Sequence, residues 1–328
     1  MIYPSEAVTA EGVRRWLLSR LGDAGQCIVK GPVYQRQNSH IFYAECDALP
    51  TAAAIKWCLQ TYTLRPDSDS AIRQFEALCR VADAMQADPR YTVPRPYLLD
   101  RERALLAIEW IGGAPMTASI ASWRCGADNA HDLMVQAGNW LRHFHQAHRL
   151  PDGPLDVEDK LRSASEYDDC ALARDQVFAQ GLAELRRSAA AAASVNLERS
   201  WIHGDFKTDN LIISGQRIVG IDVEISHENT VVYDVAPFLN DLELSFCHPM
   251  AWRLASARAR LIAAFVDAYS EAKSDRLLLA LTWVRLHFMF AAWDRMQARG
   301  LSRLRTAMLG GCFRSATARL SAQLRRLC

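Results

Sequence analysis

One short segment, residues 203–210, constrains this 328-residue chain more than any other. It reads His-Gly-Asp-Phe-Lys-Thr-Asp-Asn, and it brings an aspartate (Asp205), a lysine (Lys207) and an asparagine (Asn210) within six residues. A run of three apolar residues follows at once, and a second carboxylate, Asp222, comes twelve positions after the asparagine. The order of polar and apolar residues predicts a loop, then a short β-hairpin, with functional groups before and after it.

This set of groups suits phosphoryl transfer. One carboxylate can accept the proton of an attacking hydroxyl, while an amide oxygen and a second carboxylate can hold Mg²⁺ on the phosphates. We therefore predict Asp205 and Lys207 as catalytic residues, the lysine offsetting charge on the transferred group, and Asn210 and Asp222 as Mg²⁺ ligands. The alternative is an ordinary turn followed by a strand end with a solvated carboxylate, which would not demand these residues at these intervals.

The spacing also supports a resemblance. Asp205 and Asn210 are five residues apart with a lysine two positions after the aspartate, as in the kinase catalytic loop. Glycine at position 204 and Asp-Val-Glu at 222–224 differ from the arginine and the Asp-Phe-Gly of protein kinases. The pattern HGDF…N…IDxE resembles the aminoglycoside phosphotransferase and choline kinase group of small-molecule kinases. The resemblance covers about residues 27–300, with strong motifs only at 203–224, and it implies ATP and Mg²⁺ as cofactors.

The periodicity of the remaining chain fits a two-lobed, protein-kinase-like α+β fold. Short apolar runs rich in β-formers predict strands at 27–29, 40–45, 53–58, 97–99 and 104–111. Apolar residues at three- and four-residue steps predict helices at 67–87, 129–148, 156–193 (with a break), 233–246, 250–272, 275–298 and 302–327. We expect a small antiparallel sheet with one main helix, followed by a large, mostly helical lobe. Because Gly112-Gly113 and Pro115 mark a boundary, the predicted nucleotide-binding lobe is 1–111 and the catalytic and substrate-binding lobe is 112–328.

The first lobe offers a candidate phosphate ligand. Lys56 lies in the apolar strand Ala-Ile-Lys-Trp, close to the Val-Ala-Ile-Lys form of kinases, and we predict that it binds the α- and β-phosphates. Glu76 is the only acid in the middle of the next helix, so we expect it to pair with Lys56, because a buried lysine without a partner is costly. A strand lysine that reaches solvent and a solvated helix face are the alternatives.

The turn Gln35–Ser39 stands where protein kinases have a glycine-rich loop, and it contains no glycine. Ser39, with Asn38, is a candidate donor to phosphate oxygens, although an ordinary hairpin turn explains both equally well. The segment Ala-Ile-Glu-Trp-Ile-Gly-Gly resembles the hinge between kinase lobes. That resemblance implies that the adenine bonds the carbonyl of Glu109 and the amide of Ile111.

Several other polar residues are expected to be structural. Asp234 matches an aspartate that orients the catalytic loop in the family, and simple capping of a helix would give the same residue. His203 is expected to be a structural hydrogen-bonding residue. The cluster His143, His145 and His148 does not share one helix face, so a zinc site is not expected. Glu224 is a further candidate for holding a second metal or water.

The acceptor is left open between two chemistries. An acidic site for an amine-bearing sugar would use Asp241, Glu243 and Asp294. An aromatic cage for a quaternary ammonium would use Trp252, Trp283, Phe288 and Trp293. Either reading gives transfer of the γ-phosphate to a hydroxyl of a small molecule such as an amino sugar, aminoglycoside or amino alcohol. The rival functions are a non-catalytic nucleotide-binding pseudokinase, which would need a broken catalytic set, and a protein kinase, for which residues 225–236 are too short an activation segment.

The net charge and the cysteine content limit which partners and which cellular compartment we expect. A net charge of +1 predicts no strong attraction to nucleic acid or membrane. From Arg295 onward there are eight arginines and no acid, so the preceding residues carry −7. We expect residues 312–327 to form a helix that docks its apolar side and leaves its arginines mainly outside. No run approaches the length of a membrane-spanning helix, and nine scattered cysteines are expected to be reduced thiols in a cytoplasm.

Overall fold

The computed structural model describes residues 8–22, 25–123, 130–165, 167, 174–225, 228–245, 255–270, 274–298 and 303–328. The chain divides into two compact units. The first unit comprises Met1–Ala114 and Ile212–Ile225, and the second comprises Pro115–Leu211 and Ser226–Cys328. The chain thus first passes from one unit to the other close to the boundary predicted after residue 111, and the hairpin segment returns to the first unit.

The first unit is built on a five-stranded antiparallel sheet. Its strands, in spatial order, are β1 (Cys27–Arg36), β2 (Ser39–Cys46), β3 (Ala53–Cys58), β6 (Leu105–Glu109) and β5 (Pro96–Asp100). A smaller sheet contains β4 (Tyr91–Thr92), β11 (Arg217–Gly220) and β10 (Leu211–Ser214) in that order. The helix between β3 and β4 is α2 (Ser68–Ala84), which begins where the side chain of Asp67 accepts the backbone N–H of Ser70 at 3.0 Å.

An additional helix, α1 (Ala10–Leu21), precedes the sheet and was not predicted. Its start is capped by Thr9, whose side-chain oxygen accepts the N–H of Gly12 at 3.1 Å. The buried side chains Val13, Trp16 and Leu17 join the core of the sheet. The first unit therefore carries two helices on its sheet, one more than the single main helix that the sequence indicated.

The second unit is mostly helical. Its helices are α3 (Met116–Trp123), α4 (Ala130–Gln146), α5 (Glu158–Ser165), α6 (Gln176–Arg187), α7 (Ala189–Ala193), α8 (Val232–Ser245), α9 (Ala255–Tyr269), α10 (Asp275–Ala298) and α11 (Arg303–Leu327). Three short antiparallel strands lie in the order β12 (Glu228–Thr230), β9 (Asn196–Trp201) and β8 (Leu150–Pro154), and β7 (Ala114–Pro115) lies at the junction with the first unit. The predicted α+β architecture, with antiparallel strands first and helices afterwards, is confirmed.

Helix α10 corrects one expectation. Its stretch Asp275–Arg295 is, by length and composition alone, long and apolar enough to cross a membrane, so the view that no run reaches that length was wrong. Of its apolar window, 67% is buried inside the protein, including the fully buried Trp283, Leu286 and Phe290. Such burial is typical of a core helix, and α10 contacts α5, α6, α7, α8 and α11.

The cysteine prediction is wrong at two positions. Cys27 and Cys46 are directly paired in the register of β1 and β2, and they form a disulfide. Among the described residues, Cys58, Cys79, Cys312 and Cys328 are free. The sequence could not identify the pair, because only the strand register brings these two positions together. A cytoplasmic location stays a prediction.

Helix α11 docks as expected. Phe313, Ala316, Leu320 and Leu324 are at most 3% exposed, so one side of the helix belongs to the core of the second unit. Arg314, Arg319, Arg325 and Arg326 are exposed, and three of them contact acids of the same unit. These pairs are Arg314 with Asp175 at 3.2 Å, Arg325 with Glu184 at 3.6 Å, and Arg319 with Glu243. The positive tail is therefore matched by acids within its own unit.

Candidate active site

The predicted catalytic loop lies in the second unit, directly after β9, and one buried aspartate fixes its backbone. The carboxylate of Asp234, 1% exposed, accepts the N–H of His203 at 2.7 Å and the N–H of Gly204 at 3.0 Å. His145 in turn contacts that carboxylate through Nε2 at 3.1 Å, and its Nδ1 lies 2.8 Å from the hydroxyl of Tyr269. Asp234 therefore orients the loop, as the family resemblance implied.

Glycine at position 204 has a structural reason. Gly204 has a φ of +84°, a left-handed conformation that side-chain-bearing residues rarely adopt. This turn lets the adjacent amides of residues 203 and 204 point at one carboxylate. His203 is fully buried, and its Nδ1 accepts the N–H of Asp205 at 3.4 Å. It is a structural hydrogen-bonding residue, as predicted.

The loop brings its three predicted polar residues together. Oδ2 of Asp205 accepts the ammonium of Lys207 at 2.5 Å and the amide Nδ2 of Asn210 at 3.1 Å. The same amide donates to the backbone carbonyl of Asp205 at 2.8 Å. Between them Phe206 is buried and stacks on Phe238 with ring centroids 4.9 Å apart. The aspartate side chain is 61% exposed, so a rigid, anchored loop presents an accessible carboxylate.

Asn210 carries an observation that bears on metal binding. Its side chain is fully buried, and its Oδ1 has no hydrogen-bond partner within the described part of the chain. A buried amide oxygen without a partner is costly, and Mg²⁺ takes oxygen ligands. The donor set therefore fits a hard cation, because the other atom of the same amide is already held by Asp205.

The loop has further contacts that the sequence did not indicate. The hydroxyl of Thr208 donates to Asp241 of α8 at 2.9 Å, and the hydroxyl of Thr117 donates to Asp209 at 2.5 Å. Burial raises the pKa of Asp241, against the opposing effect of the hydrogen bonds from Thr208. Helix α8 thus holds the loop at two points, through Asp234 and Asp241. Threonine and aspartate at loop positions are too common for sequence to reveal such bonds.

In the first unit, Lys56 pairs with Asp222. Lys56 lies in β3 with its side chain 12% exposed, and its Nζ is 2.6 Å from Oδ1 of Asp222. The guanidinium of Arg36, at the end of β1, lies 3.5 Å from the other carboxylate oxygen. The backbone of Asp222 has a φ of +55°, which aspartate tolerates better than most residues. Two predicted site residues are therefore in direct contact, with an arginine that the sequence had not singled out.

The predicted pairing of Lys56 with Glu76 is wrong. The Glu76 side chain is 54% exposed and lies 3.6 Å from Arg101. The buried position on α2 belongs to Gln74, whose amide donates to Glu224 at 3.0 Å. Two residues correspond to a rotation of about 200° around a helix, so Glu76 points away when Gln74 faces inward. The pattern of the helix locates its buried side but does not show which polar residue is buried there.

The structure gives the positions of the other candidate nucleotide-binding residues, and their contacts with the nucleotide stay predictions. Ser39 is 4% exposed and starts β2, so it lies beyond the turn, whose two residues are Gln37 and Asn38. Glu109 ends β6, and its side chain accepts from the backbone of Arg95 and contacts Arg217 at 3.4 Å.

Ile111 is half-buried in the segment that follows β6. Two residues later, a Cβ on Gly113 would lie 2.1 Å from the carbonyl oxygen of Ile213. Only glycine permits that close approach between the segment after β6 and the hairpin.

Several of the acceptor candidates have other contacts in the structure. Glu243 is 3% exposed and forms ion pairs with Arg285, at 2.6 Å, and with Arg319. Its negative charge is therefore already paired within the protein. Trp283 and Trp293 are core residues, 0% and 7% exposed. Phe288 is half-buried, Asp294 is exposed, and Trp252 falls outside the described residues. Of the acidic candidates, Asp241 contacts the catalytic loop.

Two histidines of the cluster contact acids on other elements. His145 belongs to the Asp234 network, and His148 lies 2.9 Å from Glu228. Within the described ranges there is no group of three or more His, Cys, Asp or Glu side chains arranged to hold a metal.

Comparison with solved structures supports the protein-kinase-like fold. A glucosamine kinase in complex with glucosamine, ADP and inorganic phosphate superposes with a TM-score of 0.62 at 16% identity, covering 97% of this chain and 87% of that one. A choline/ethanolamine kinase family protein from Mesorhizobium loti has a TM-score of 0.58 at 15% identity, covering 96% and 99%. Macrolide 2′-phosphotransferase from Brachybacterium faecium has a TM-score of 0.56 at 15% identity, covering 95% and 97%.

Sequence comparison gives the family. None of the curated proteins matches this chain. The pattern of the phosphotransferase enzyme family, however, matches residues 48–280, which is more than two thirds of the chain and includes the catalytic loop. The chain belongs to the phosphotransferase enzyme family, and it is an enzyme of the small-molecule kinase type.

Proposed function

We propose that this enzyme transfers the γ-phosphate of ATP, in the presence of Mg²⁺, to a hydroxyl group of a small molecule. The observation that carries the proposal is the loop Asp205–Asn210, where an exposed carboxylate is held by a lysine and by a buried asparagine. Family membership and complexes of related folds with ADP or an ATP analogue support the nucleotide as donor.

Asp205 is the proposed base. Its carboxylate is accessible and would orient the acceptor hydroxyl and take its proton as the oxygen attacks the γ-phosphorus. Lys207, bound to the same carboxylate, would offset the negative charge of the transferred group. The buried contacts of Asp234 with the loop keep this pair in position, and positioning with charge stabilisation supplies most of the catalysis in phosphoryl transfer.

Several residues are proposed to hold the nucleotide and its metal. In the first unit, Lys56 is the proposed ligand of the α- and β-phosphates, and Asp222 a proposed Mg²⁺ ligand. Asn210 is the other proposed Mg²⁺ ligand, because its Oδ1 is buried and has no hydrogen-bond partner among the described residues. When bound, Mg²⁺ neutralises phosphate charge as a Lewis acid. Ser39, Glu109 and Ile111 are proposed to contact the nucleotide as the sequence suggested, whereas Glu76 lies with Arg101 on the exposed side of α2.

The acceptor is proposed as a hydroxylated small molecule that also carries an amine. The related folds include kinases of glucosamine and of choline, which supports this class. Asp241, hydrogen-bonded to the catalytic loop through Thr208, is the acidic candidate that the geometry favours, because Glu243 is already bound by two arginines. The complete set of Lys56, Asp205, Asn210 and Asp222 favours turnover over a pseudokinase.

The test is a thermal-shift screen of amino sugars, amino alcohols and aminoglycosides with ATP and Mg²⁺, followed by measurement of ADP release for each hit. Asp205→Asn should lower ADP release about 10² to 10⁴-fold while keeping nucleotide affinity within a few-fold, because the lost group acts on the acceptor proton.

The matched control is Asp132→Asn on α4, an aspartate that is 80% exposed and outside the loop, which should keep native turnover. Turnover by Asp205→Asn near the native rate would show that another group is the base. Failure of every acceptor with native protein that binds ATP would favour a pseudokinase.

A further inference from the structure

The β1–β2 turn of the first unit contains an arginine beside the predicted metal ligand. The strand register pairs Arg36 with Ser39, so Gln37 and Asn38 form a two-residue turn. The turn contains no glycine, so its backbone cannot adopt the glycine-dependent conformations by which glycine-rich loops cradle phosphates. Arg36 is the one cation within Gln35–Ser39, and its side chain is 59% exposed.

Two cations share one carboxylate at this place. Oδ1 of Asp222 lies 2.6 Å from Nζ of Lys56, and Oδ2 lies 3.5 Å from Nη1 of Arg36. The trio has one positive charge in excess. The lysine contact is short and largely shielded, whereas the arginine contact is long and exposed, and exposed ion pairs of this kind contribute about 0–1 kcal/mol. Arg36 can therefore leave Asp222 at little cost.

The guanidinium has the geometry that polyphosphate recognition needs. Its planar fork can donate two parallel hydrogen bonds to phosphate oxygens, and it stays charged at any physiological pH. If Asp222 were to hold Mg²⁺, the arginine would exchange its contact with this carboxylate for a contact with phosphate oxygens. The guanidinium therefore has an anionic partner both before and after the exchange, first a carboxylate and then a phosphate.

We propose that Arg36 is a nucleotide-binding residue of this enzyme, which leaves Asp222 when the nucleotide binds and donates to its phosphate oxygens in place of a glycine-rich loop. This inference rests on the proposed function, since it assumes that ATP binds beside Lys56. It goes further in assigning to a side chain the phosphate contact that the turn itself cannot supply through glycine.

The test measures dissociation constants of ATP and of adenosine by calorimetry, each with Mg²⁺ and with a chelator. Arg36→Gln should weaken ATP binding about 10- to 100-fold in both conditions, since a charge-assisted contact to phosphate is lost. Adenosine binding should stay within about two-fold, because adenosine has no phosphate. Arg36→Lys should recover part of the ATP affinity through its charge, but not the two-pronged contact.

The matched control is Arg15→Gln on α1, an arginine that is 74% exposed and 4.0 Å from Glu11 in the same unit. It should bind ATP as the native protein does. The melting temperature of Arg36→Gln should equal that of this control, and if it does not, the comparison is made with Arg36→Lys.

Three results would overturn the proposal. Unchanged ATP affinity in Arg36→Gln would exclude a phosphate contact. A loss seen only with Mg²⁺ would show that Arg36 merely positions Asp222, and an equal loss for adenosine would show a general distortion of the unit. Native protein that binds neither ATP nor adenosine would instead contradict the proposed function.

Discussion

The catalytic loop of the second unit and the Lys56–Asp222 region of the first unit are held in different ways. The loop is fixed by a carboxylate that is 1% exposed and receives two backbone amides. Asp222 is 29% exposed and is contacted by two cations on flexible side chains. Buried hydrogen bonds between rigid groups are costly to break, whereas exposed ion pairs exchange partners easily.

The difference matches what each region has to do. A base must be held at a fixed position relative to the hydroxyl that it deprotonates, and small displacements cost large factors in rate. Ligands for a nucleotide and its metal must release their resting partners when the ligand arrives. The catalytic loop is therefore suited to rigidity, and the Lys56–Asp222 region is suited to the exchange of contacts. The five predictions below test this contrast, beginning with the largest expected effect.

Removal of α11 should have the largest effect of the five changes, a loss of stability of the second unit. A chain that ends after Gly300 loses Phe313, Leu320 and Leu324, each at most 3% exposed, and burial of such a side chain contributes about 1.5–3 kcal/mol. The sum is comparable with the stability of a whole domain, so cooperative unfolding in circular dichroism should shift far down or disappear.

The same truncation tests the arginine tail. Because its arginines contact Asp175, Glu184 and Glu243 within the unit, affinity of the full chain for DNA or anionic vesicles should stay weak at physiological salt. Tight, salt-sensitive binding that truncation abolishes without loss of stability would make the tail a partner-binding element.

Replacement of Asp234 should test the rigidity of the loop directly. Asp234→Ala leaves the amides of His203 and Gly204 without this acceptor and removes a contact of His145, which should cost about 3 kcal/mol of stability. Denaturant unfolding measures this cost, and ADP release should fall in parallel. Asp234→Asn keeps the shape and one acceptor oxygen and should lose less. Equal, small losses in both variants would show that the loop does not depend on this residue.

The buried core of the second unit should also give the protein a pH dependence. Burial, with the nearby Lys160, lowers the pKa of His287 to about 4 from its ordinary 6.5. In this case the unfolded chain binds a proton that the folded chain resists, so stability is full above the unfolded pKa and is lost as the pH falls from about 6.5 towards 4.

Unfolding free energies should therefore drop by about 2 kcal/mol between pH of about 7.5 and 5 through this group. His287→Gln should remove that part of the slope, whereas His131→Gln, at an exposed histidine of α4, should keep it. A slope that both variants share with native protein would assign the pH dependence to other groups.

Loss of Asp222 should affect metal-dependent binding selectively. Asp222→Ala is expected to weaken nucleotide binding at least about ten-fold in Mg²⁺ and little in its absence, because the carboxylate serves the metal. The fold should tolerate the change, since the contacts it loses are partly exposed. Calorimetry with and without Mg²⁺ measures the difference. Equal weakening in both conditions would make Asp222 a structural residue.

The same contrast explains what could be predicted from the sequence. Asp205, Lys207 and Asn210 meet because the spacing of a short loop brings them together, and local spacing is visible in sequence. Most helices of the second unit were likewise predicted from their apolar periodicity, among them Asp275–Ala298, but α3 (Met116–Trp123) was not. The disulfide of Cys27 depends on strand register, and the partner of Lys56 is 166 residues away. Long-range pairing of this kind follows from packing that a single sequence does not record.

Glu76→Gln should have the smallest effect, and it tests the pairing of Lys56 with Glu76 that we predicted from the sequence. The carboxylate is 54% exposed and its contact with Arg101 is 3.6 Å, so the change should leave stability within about 1 kcal/mol and ATP affinity within about two-fold. Lys56→Gln should weaken ATP binding strongly in the same assay, because it removes a proposed phosphate ligand.

If Glu76 instead orients Lys56 when the nucleotide is bound, Glu76→Gln and Lys56→Gln should each weaken ATP binding. The double variant would then lose no more than Lys56→Gln alone, since a pair that acts as one unit is lost only once. Additive effects would leave Glu76 on the solvated side of α2, and would make Asp222 the group that positions the lysine before ATP arrives.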